Sequence, residues 1–368
     1  MHPALVQLGA LVDAWTGGPS VGQALPLVPS DLAFNLLLLA ADAALVLMVA
    51  RRGERAPLFG LVCAFWGLGV VLGGLLGEGF FGVLRLWCFA VFVHAPIVAV
   101  AIGFVHPGRS VRGGALGFAL IALTIGVDAF LIEPTALEVT RLSLVSPKLR
   151  RSLRIVVIAD LQTDAVGAYE RRALERAMAE KPDLVLLPGD YVQGATREWA
   201  ELRELLREVG VSAPLGVHAV EGNVDANGWS EIFAAIPAEV YSATRTTLQA
   251  DLAVTGLSLG DSFDPTLSIE PRDRFHIVFG HAPDFALGNV AADLLVAGHT
   301  HGGQVRLPLL GPIMTLSRVP RAWAAGKTEL SDGRSLVVSR GIGMERGAAP
   351  RLRFLCRPEL VVIDVVPG

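Results

Sequence analysis

Residues 293–304 read Asp-Leu-Leu-Val-Ala-Gly-His-Thr-His-Gly-Gly-Gln: an apolar run ends in glycine and delivers His299 and His301 one residue apart. Neutral imidazole is the commonest metal-ligand side chain, and flanking glycines let a backbone bend tightly beside an ion. Four earlier apolar runs end in the same way. Arg154-Ile-Val-Val-Ile-Ala-Asp160 leads to Gln162 and Asp164, and Leu184-Val-Leu-Leu-Pro-Gly leads to Asp190. His218-Ala-Val-Glu-Gly leads to Asn223 and Asp225, and Ile277-Val-Phe-Gly leads to His281. Taken singly, Gly-Asp is a turn, Asn-x-Asp a turn or helix cap, and a lone histidine a structural residue. Taken in order, five strand ends bearing oxygen and nitrogen donors point to one metal centre assembled from five loops. Carboxylate, amide and imidazole donors without thiolate suit Mn, Fe or Zn. Two ions sharing a carboxylate can clamp a phosphoryl group.

The elements that must position these residues read as α/β from Leu153 onward. Apolar, β-rich runs at 154–159, 184–188, 216–220, 275–279 and 294–297 alternate with helical or loop segments. Residues 169–180 carry Ala173, Leu174, Ala177 and Met178 at helical spacing, and 196–208 carry Trp199, Leu202, Leu205 and Leu206. Runs near 335–339 and 359–366 predict further strands, and Leu137 to Val145 predicts an edge strand before a turn at Pro147 to Arg151. In such sheets the loops at the carboxyl ends of the strands build the site. His218 and His276 lie inside strand runs and read as core residues.

The other half of the chain has a different composition. Hydrophobic residues make up 52% of the 368 and charged residues only 18%, with mean hydropathy +0.52, which points to a membrane portion. The apolar excess lies in a transmembrane helical domain at 32–132, with spans at 32–50, 57–77, 80–105 and 113–132. Residues 1–31 form an N-terminal extracytoplasmic segment: 3–12 suggest a short interfacial helix, and glycines and prolines make the rest a loop. Residues 133–153 are a linker and first edge strand, and 154–368 are the α/β domain. Arg51, Arg52 and Arg55 occupy the first connection and Arg109 and Arg112 the third, whereas the second has Glu78 and no basic residue. Basic loops stay in the cytoplasm, so the α/β half is expected on the far side of the membrane. Arg85 and Asp128 lie at similar depths in the third and fourth spans, which predicts an ion pair between them. The three cysteines have no C-x-x-C spacing and indicate neither a disulfide framework nor a thiolate zinc site. A net charge of -4 without a long basic run argues against nucleic acid as a partner.

Residues 150–368 resemble the calcineurin-like metallophosphoesterase superfamily. The resemblance rests on Asp160-x-Gln162, Gly189-Asp190, Gly222-Asn223-Val224-Asp225, Gly280-His281 and Gly298-His299-Thr300-His301. Bacterial membrane- or cell-wall-associated members are similar also in His299-Thr-His-Gly-Gly-Gln304, Leu307-Pro-Leu-Leu-Gly311 and Ser339-Arg-Gly-Ile-Gly343 ahead of Arg351-Leu-Arg353. The resemblance implies a four-layer α-β-β-α sandwich, here preceded by an all-α bundle of transmembrane helices. It implies two divalent metal ions (Mn, Fe, Zn or Mg). Asp160, Gln162, Asp190 and His301 would hold one; Asp190, Asn223, His281 and His299 would hold the other. Asp190, Asn223 and Asp225 would serve catalysis, and a metal-bridging hydroxide would attack phosphorus. Arg340, Arg351 and Arg353 are candidates for contact with substrate phosphate.

Two positions depart from the family pattern. Gln162 stands where the family has histidine, and Val224 where it commonly has histidine or arginine. A neutral amide oxygen binds a transition metal more weakly than imidazole, with Asp164 as a compensating ligand or a simple cap. Valine cannot protonate a leaving group, a loss of about 10²–10⁴ in rate for an alkoxide. The expected activity is therefore hydrolysis of a phosphoanhydride or activated phosphodiester, lipid-linked substrates included, by a membrane-tethered enzyme. The alternatives are a degenerate member that binds phosphate ligands with little turnover, and a transport or signalling protein in which the metal domain is accessory.

Overall fold

The computed structural model describes residues 29–53, 57–193, 196–249, 251–330 and 333–368; the expected interfacial helix at 3–12 lies outside them. The chain forms two compact units. Of the described residues, 29–132 group with 345–351, and 133–344 group with 352–368.

The first unit is helical: α1 (Pro29–Arg52), α2 (Leu58–Leu76), α3 (Gly79–Val105) and α4 (Arg109–Thr135). Helices α1, α3 and α4 are long and apolar enough to cross a membrane, and α2 is a shorter apolar helix. Their buried stripe is Phe34, Leu38, Leu45, Val49, Phe65, Leu86, Val98 and Ile102. Large apolar residues such as Leu36, Leu37, Val70, Leu75, Phe104, Leu120 and Ile121 face outward. Apolar side chains on both the inner and outer faces are the pattern of helices solvated by lipid.

Several polar residues of this unit are buried, Asp31, Asp42, Arg85 and His94 among them. The expected Arg85–Asp128 pair is not formed. Instead α1 begins at Pro29, which turns the expected loop residue Asp31 into a first-turn helical residue. There the positive end of the helix favours its carboxylate. Arg85 Nε and Nη2 both reach Asp31 Oδ1, at 3.2 and 3.1 Å. Asp31 is buried whereas Asp128 is only half-buried, so the deeper carboxylate has more need of a counter-charge. Farther along α1, Asp42 Oδ2 lies 2.6 Å from His94 Nδ1, and Asn35 Oδ1 lies 3.0 Å from His94 Nε2. Asn35 Nδ2 donates to the Asp31 carbonyl, which turns its oxygen toward the ring. His94 closes a single π-helical turn, Ala90–His94, within α3.

The second unit is built on two six-stranded sheets. The first contains β1 (Glu138–Ser146), β2 (Leu153–Val157), β3 (Leu184–Leu187), β4 (Val217–Val220) and β5 (Ala238–Tyr241). The second contains β6 (Arg245–Leu248), β7 (Leu252–Gly256), β8 (Phe275–Phe279), β9 (Leu294–Ala297), β10 (Gly326–Glu329) and β11 (Ser335–Val338). The last strand, β12 (Glu359–Pro367), returns to the first sheet. The strand orders are β1-β12-β2-β3-β4-β5 and β10-β11-β9-β8-β7-β6. β2 to β5 run parallel, as do β7, β8, β9 and β11. β12 lies parallel to β1 and antiparallel to β2.

Ile155, Val157, Leu186, Val254, Ile277, Phe279, Val296, Val337 and Ile363 fill the space between the sheets. Residues of the opposite parity in the first sheet, Val156, Val185, Leu187 and Val217, pack against α5 (Ala168–Ala179) and α6 (Thr196–Val209). The buried stripes are Tyr169, Ala173, Leu174 and Ala177 on α5, and Leu202, Leu205 and Leu206 on α6. The outer face of the second sheet is covered more thinly, by the four-residue helix Leu259–Ser262 and the 3-10 turn Pro283–Leu287 with Phe285 and Ala286. Strands buried on both faces read as unbroken apolar runs.

Candidate metal centre

Each site loop leaves the carboxyl end of a parallel strand: 158–163 after β2, 188–190 after β3, 221–225 after β4, 280–281 after β8 and 298–301 after β9. Parallel neighbours put these ends along one edge of each sheet. The two edges meet through Asp160, whose carboxylate oxygens accept the His299 amide at 3.1 and 3.0 Å. Five site residues hold left-handed backbone angles: Asp160 (φ 48°), Gln162 (φ 34°), Asp190 (φ 55°), His299 (φ 67°) and His301 (φ 47°). Such a conformation costs a non-glycine residue about 1–3 kcal/mol. A fully buried aliphatic core side chain contributes about 1.5–3 kcal/mol, so the intersheet core readily offsets the strain. Gly222 is required where β4 leaves its sheet. A Cβ there would lie 2.1 Å from the Asp190 amide nitrogen and 2.2 Å from Asp190 Oδ1.

Asp160, Asp190 and His281 are buried, with ligand atoms all within 4.8 Å of one another. His281 Nδ1 is 2.9 Å from the Pro188 carbonyl, which assigns the ring proton to Nδ1. The Nε2 lone pair then faces Asn223 Oδ1 at 2.7 Å, Asp190 Oδ2 at 3.4 Å and His299 Nδ1 at 3.1 Å. His299 Nε2 lies 3.2 Å from the Leu316 carbonyl, which likewise leaves Nδ1 as an acceptor. Burial lowers both imidazoles to about 4, His299 with an added contribution from His281, so both rings are neutral near pH 7. Four lone-pair donors therefore converge from Asp190, Asn223, His281 and His299. Without a cation between them this arrangement is repulsive; with one it is a nitrogen–oxygen ligand set. The residues fit a divalent ion. Phe263 stands edge-on to His299, ring centroids 5.0 Å apart, and walls this side of the site.

Of the other expected ligand set, Asp160 and His301 are neighbours. Asp160 Oδ2 and His301 Nδ1 both border Gly341, whose Cβ, if present, would lie 2.9 and 3.1 Å from them. Gln162 donates its Nε2 to Gln193 Oε1 at 2.9 Å. Asp164 falls outside the Asp160–Asp190–His281 cluster.

Asp225, expected in catalysis, has another task. Its Oδ2 accepts the amides of Asp190 (2.9 Å) and Gly222 (2.8 Å), and its Oδ1 accepts the Tyr191 amide (2.8 Å). It ties the β3 and β4 loops together. Burial, then the Asp190 charge, raises its pKa, and burial raises that of Asp190. The arginines also depart from expectation. Arg340 Nη2 bonds Glu138 and Glu359, each at 2.9 Å, so it is committed to an ion-pair network. Arg351 belongs to the segment that groups with the helical unit. Arg353 is fully buried and donates to the carbonyls of Gly343, Cys356, Arg340 and Gly341. Its Nη2 lies 3.4 Å from His301 Nδ1, behind the site rather than in its mouth. Buried His218 and His276 bond Tyr241 and Thr255, in keeping with core roles. Sequence reasoning missed Gln193 and the carbonyls of Pro188 and Leu316; a backbone carbonyl has no sequence signature.

A profile described as calcineurin-like phosphoesterase matches residues 153–303. The phosphodiesterase YaeI of Escherichia coli is 31% identical over 211 residues, covering 53% of this chain and 74% of that protein. The uncharacterized metallophosphoesterase YkuE of Bacillus subtilis is 29% identical over 282 residues, covering 72% of this chain and 94% of that protein. The UDP-2,3-diacylglucosamine pyrophosphatase LpxG of Chlamydia trachomatis is 24% identical over 308 residues, covering 63% and 90%.

Proposed function

The chain belongs to the calcineurin-like phosphoesterase family, and we propose that it is a membrane-tethered, metal-dependent hydrolase of phosphoanhydrides or activated phosphodiesters. The observation that carries the reading is the convergence of His281 Nε2, His299 Nδ1, Asn223 Oδ1 and Asp190 Oδ2 on one point, beside Asp160. Divalent ions held there would supply Lewis-acid stabilisation of phosphoryl oxygens and a water made acidic enough to attack at neutral pH. Asp190, with ligand atoms within 4.8 Å of those of both Asp160 and His281, would be shared by the two ligand sets. Asn223 is exposed, so its amide is open to an entering phosphoryl oxygen. Pro188 and Leu316 hold the two imidazole tautomers, and Asp225 holds the loop that carries Asp190.

Val224 sets the substrate class. Its amide donates to Asp190 Oδ1 at 3.0 Å, and its side chain has no proton to give a leaving group. Groups that leave as stable anions need none, which favours phosphoanhydrides and activated diesters over alkyl monoesters. The chlamydial relative is named as a pyrophosphatase of a diacylated sugar nucleotide, which supports a lipid-linked substrate here. The basic residues Arg51, Arg52, Arg109 and Arg112 favour an extracytoplasmic phosphoesterase unit.

The test is metal content and hydrolysis by the full chain and by Asp190→Ala. Bound divalent metal, with cleavage of bis(p-nitrophenyl) phosphate and a nucleoside diphosphate sugar outpacing an alkyl monoester and lost in Asp190→Ala, is the expected result. Protein without metal and without Asp190-dependent turnover would instead indicate a ligand-binding module. Equal rates on alkyl monoesters would overturn the leaving-group argument.

A further inference from the structure

The stretch that follows His301 is unlike the rest of the second unit. Residues 305–328 contain no Asp or Glu and include Arg306, Arg318, Arg321 and Lys327. They open with a short antiparallel ribbon, Arg306–Leu307 paired with Gly311–Pro312. At its tip Leu309 is 107% exposed and Leu310 73%, and just beyond the return strand Ile313 is 52% exposed. Leu309 also holds a left-handed φ of 67°, a conformation that strains a branched side chain. The strain brings no core packing, because the side chain projects into solvent. Contiguous exposed leucines of this kind mark an interaction surface.

The ribbon is joined to the metal centre at its base. Gly303 packs so tightly on Pro312 that a Cβ would lie 2.3 Å from the proline Cβ. Arg306 Nη1 donates to the Gly302 carbonyl at 3.3 Å. The returning chain supplies the Leu316 carbonyl to His299 Nε2 at 3.2 Å. The tip and the metal ligands are thus parts of one small structure.

We propose that this ribbon is a membrane-inserting lip: Leu309, Leu310 and Ile313 enter the hydrocarbon boundary of a bilayer and hold the site at headgroup depth. The chemistry commits it to a lipid surface. The tip is apolar, Arg318 and Arg321 beside it are exposed and suited to anionic headgroups, and no acidic residue interrupts the stretch. The same chain carries three helices long and apolar enough to cross a membrane, so a bilayer is at hand. The inference rests on the proposed membrane tether and adds to it how a phosphate in the headgroup layer reaches the metal ligands.

The test uses the full chain, in a Cys63→Ser and Cys88→Ser background, reconstituted into phosphatidylcholine–phosphatidylglycerol vesicles. Leu309→Cys carries a bimane label, with Arg197→Cys on exposed α6 as control. Quenching of the Leu309 label, and not of the control, by lipids spin-labelled on the upper acyl chain is expected. A blue shift without lipid quenching would mean that protein, such as a second copy, covers the tip; an unquenched, unshifted label would mean a lip in water. Either overturns the proposal. The second arm compares Leu309→Asp/Leu310→Asp with the parent on two diesters sharing one leaving group. Cleavage of soluble bis(p-nitrophenyl) phosphate should stay within about twofold, and that of phosphatidyl-p-nitrophenol in vesicles should fall at least about tenfold. Equal loss on both, or on neither, refutes the lip. If the parent cleaves neither ester, the proposed activity fails while the quenching arm still decides the lip.

Discussion

Asp225→Asn tests whether Asp225 positions the site or ligates within it. The carboxylate accepts three amides, two on Oδ2 and one on Oδ1. Asparagine retains one carbonyl oxygen, which would keep the Asp190 and Gly222 amides and turn its NH2 toward the Tyr191 amide. One charge-assisted bond is lost, at about 1.5–3 kcal/mol, and a donor left facing a donor costs about 1–3 kcal/mol more. Removing the negative charge beside Asp190 relieves repulsion and offsets roughly 1 kcal/mol of this. The net expectation is a loss of about 2–4 kcal/mol. For a unit of about 200 residues, that lowers Tm by about 4–16 °C. Calorimetry of the detergent-solubilised full chain would read this as a shift of the phosphoesterase-unit transition, with metal content measured on the same samples. Metal should bind more weakly but still bind, because Asp190, His281 and His299 remain. An unchanged Tm would refute the argument. So would complete metal loss at unaltered Tm, which would make Asp225 a ligand.

Gln193→Ala removes a hydrogen bond that holds the amide of Gln162, a proposed ligand; affinity for the ion on that side should fall about tenfold, read by competition with a chelator. Gln162→His should raise it, and no change in either variant would show that Gln162 is not a ligand. Two buried histidines should lose stability on acidification, against the buried carboxylates Asp190 and Asp225, whose raised pKa values act in the opposite sense. Burial lowers the folded-state pKa of His218 and His276, so the unfolded chain binds more protons as pH falls. Their contribution is fully present above about pH 6.5 and shrinks progressively below it; the change in Tm of the phosphoesterase unit between pH 7.5 and 5.5, compared with that of His218→Gln/His276→Gln, measures it, and a parent that loses no more Tm with acid than the variant would contradict it. In the helical unit, Asp42→Leu strips a buried hydrogen-bond partner from His94 and should destabilise by about 1–3 kcal/mol. Asp42→Leu with His94→Phe, which removes both partners, should be much milder by heat-aggregation assay in detergent.

The donors themselves were legible in the sequence, and so was their order. Strand composition is a local property, and so is the glycine that ends a run, so β2, β3, β4, β8 and β9 declared their termini and the residues just beyond them. The apolar helices were equally legible, because a membrane span is a matter of length and composition. What each polar side chain does was decided by tertiary structure. Asp225 and Asp190 look alike in the sequence, yet three backbone amides claim Asp225. Arg340 and Arg353 looked alike as phosphate binders, but one meets Glu138, 202 residues away, and the other is buried among carbonyls. Arg85 took Asp31 rather than Asp128 because helix ends and burial depth, not spacing, select the partner. The tautomers of His281 and His299, on which metal binding depends, were set by the carbonyls of Pro188 and Leu316. Every residue offers the same carbonyl, so only the fold can choose which one meets an imidazole.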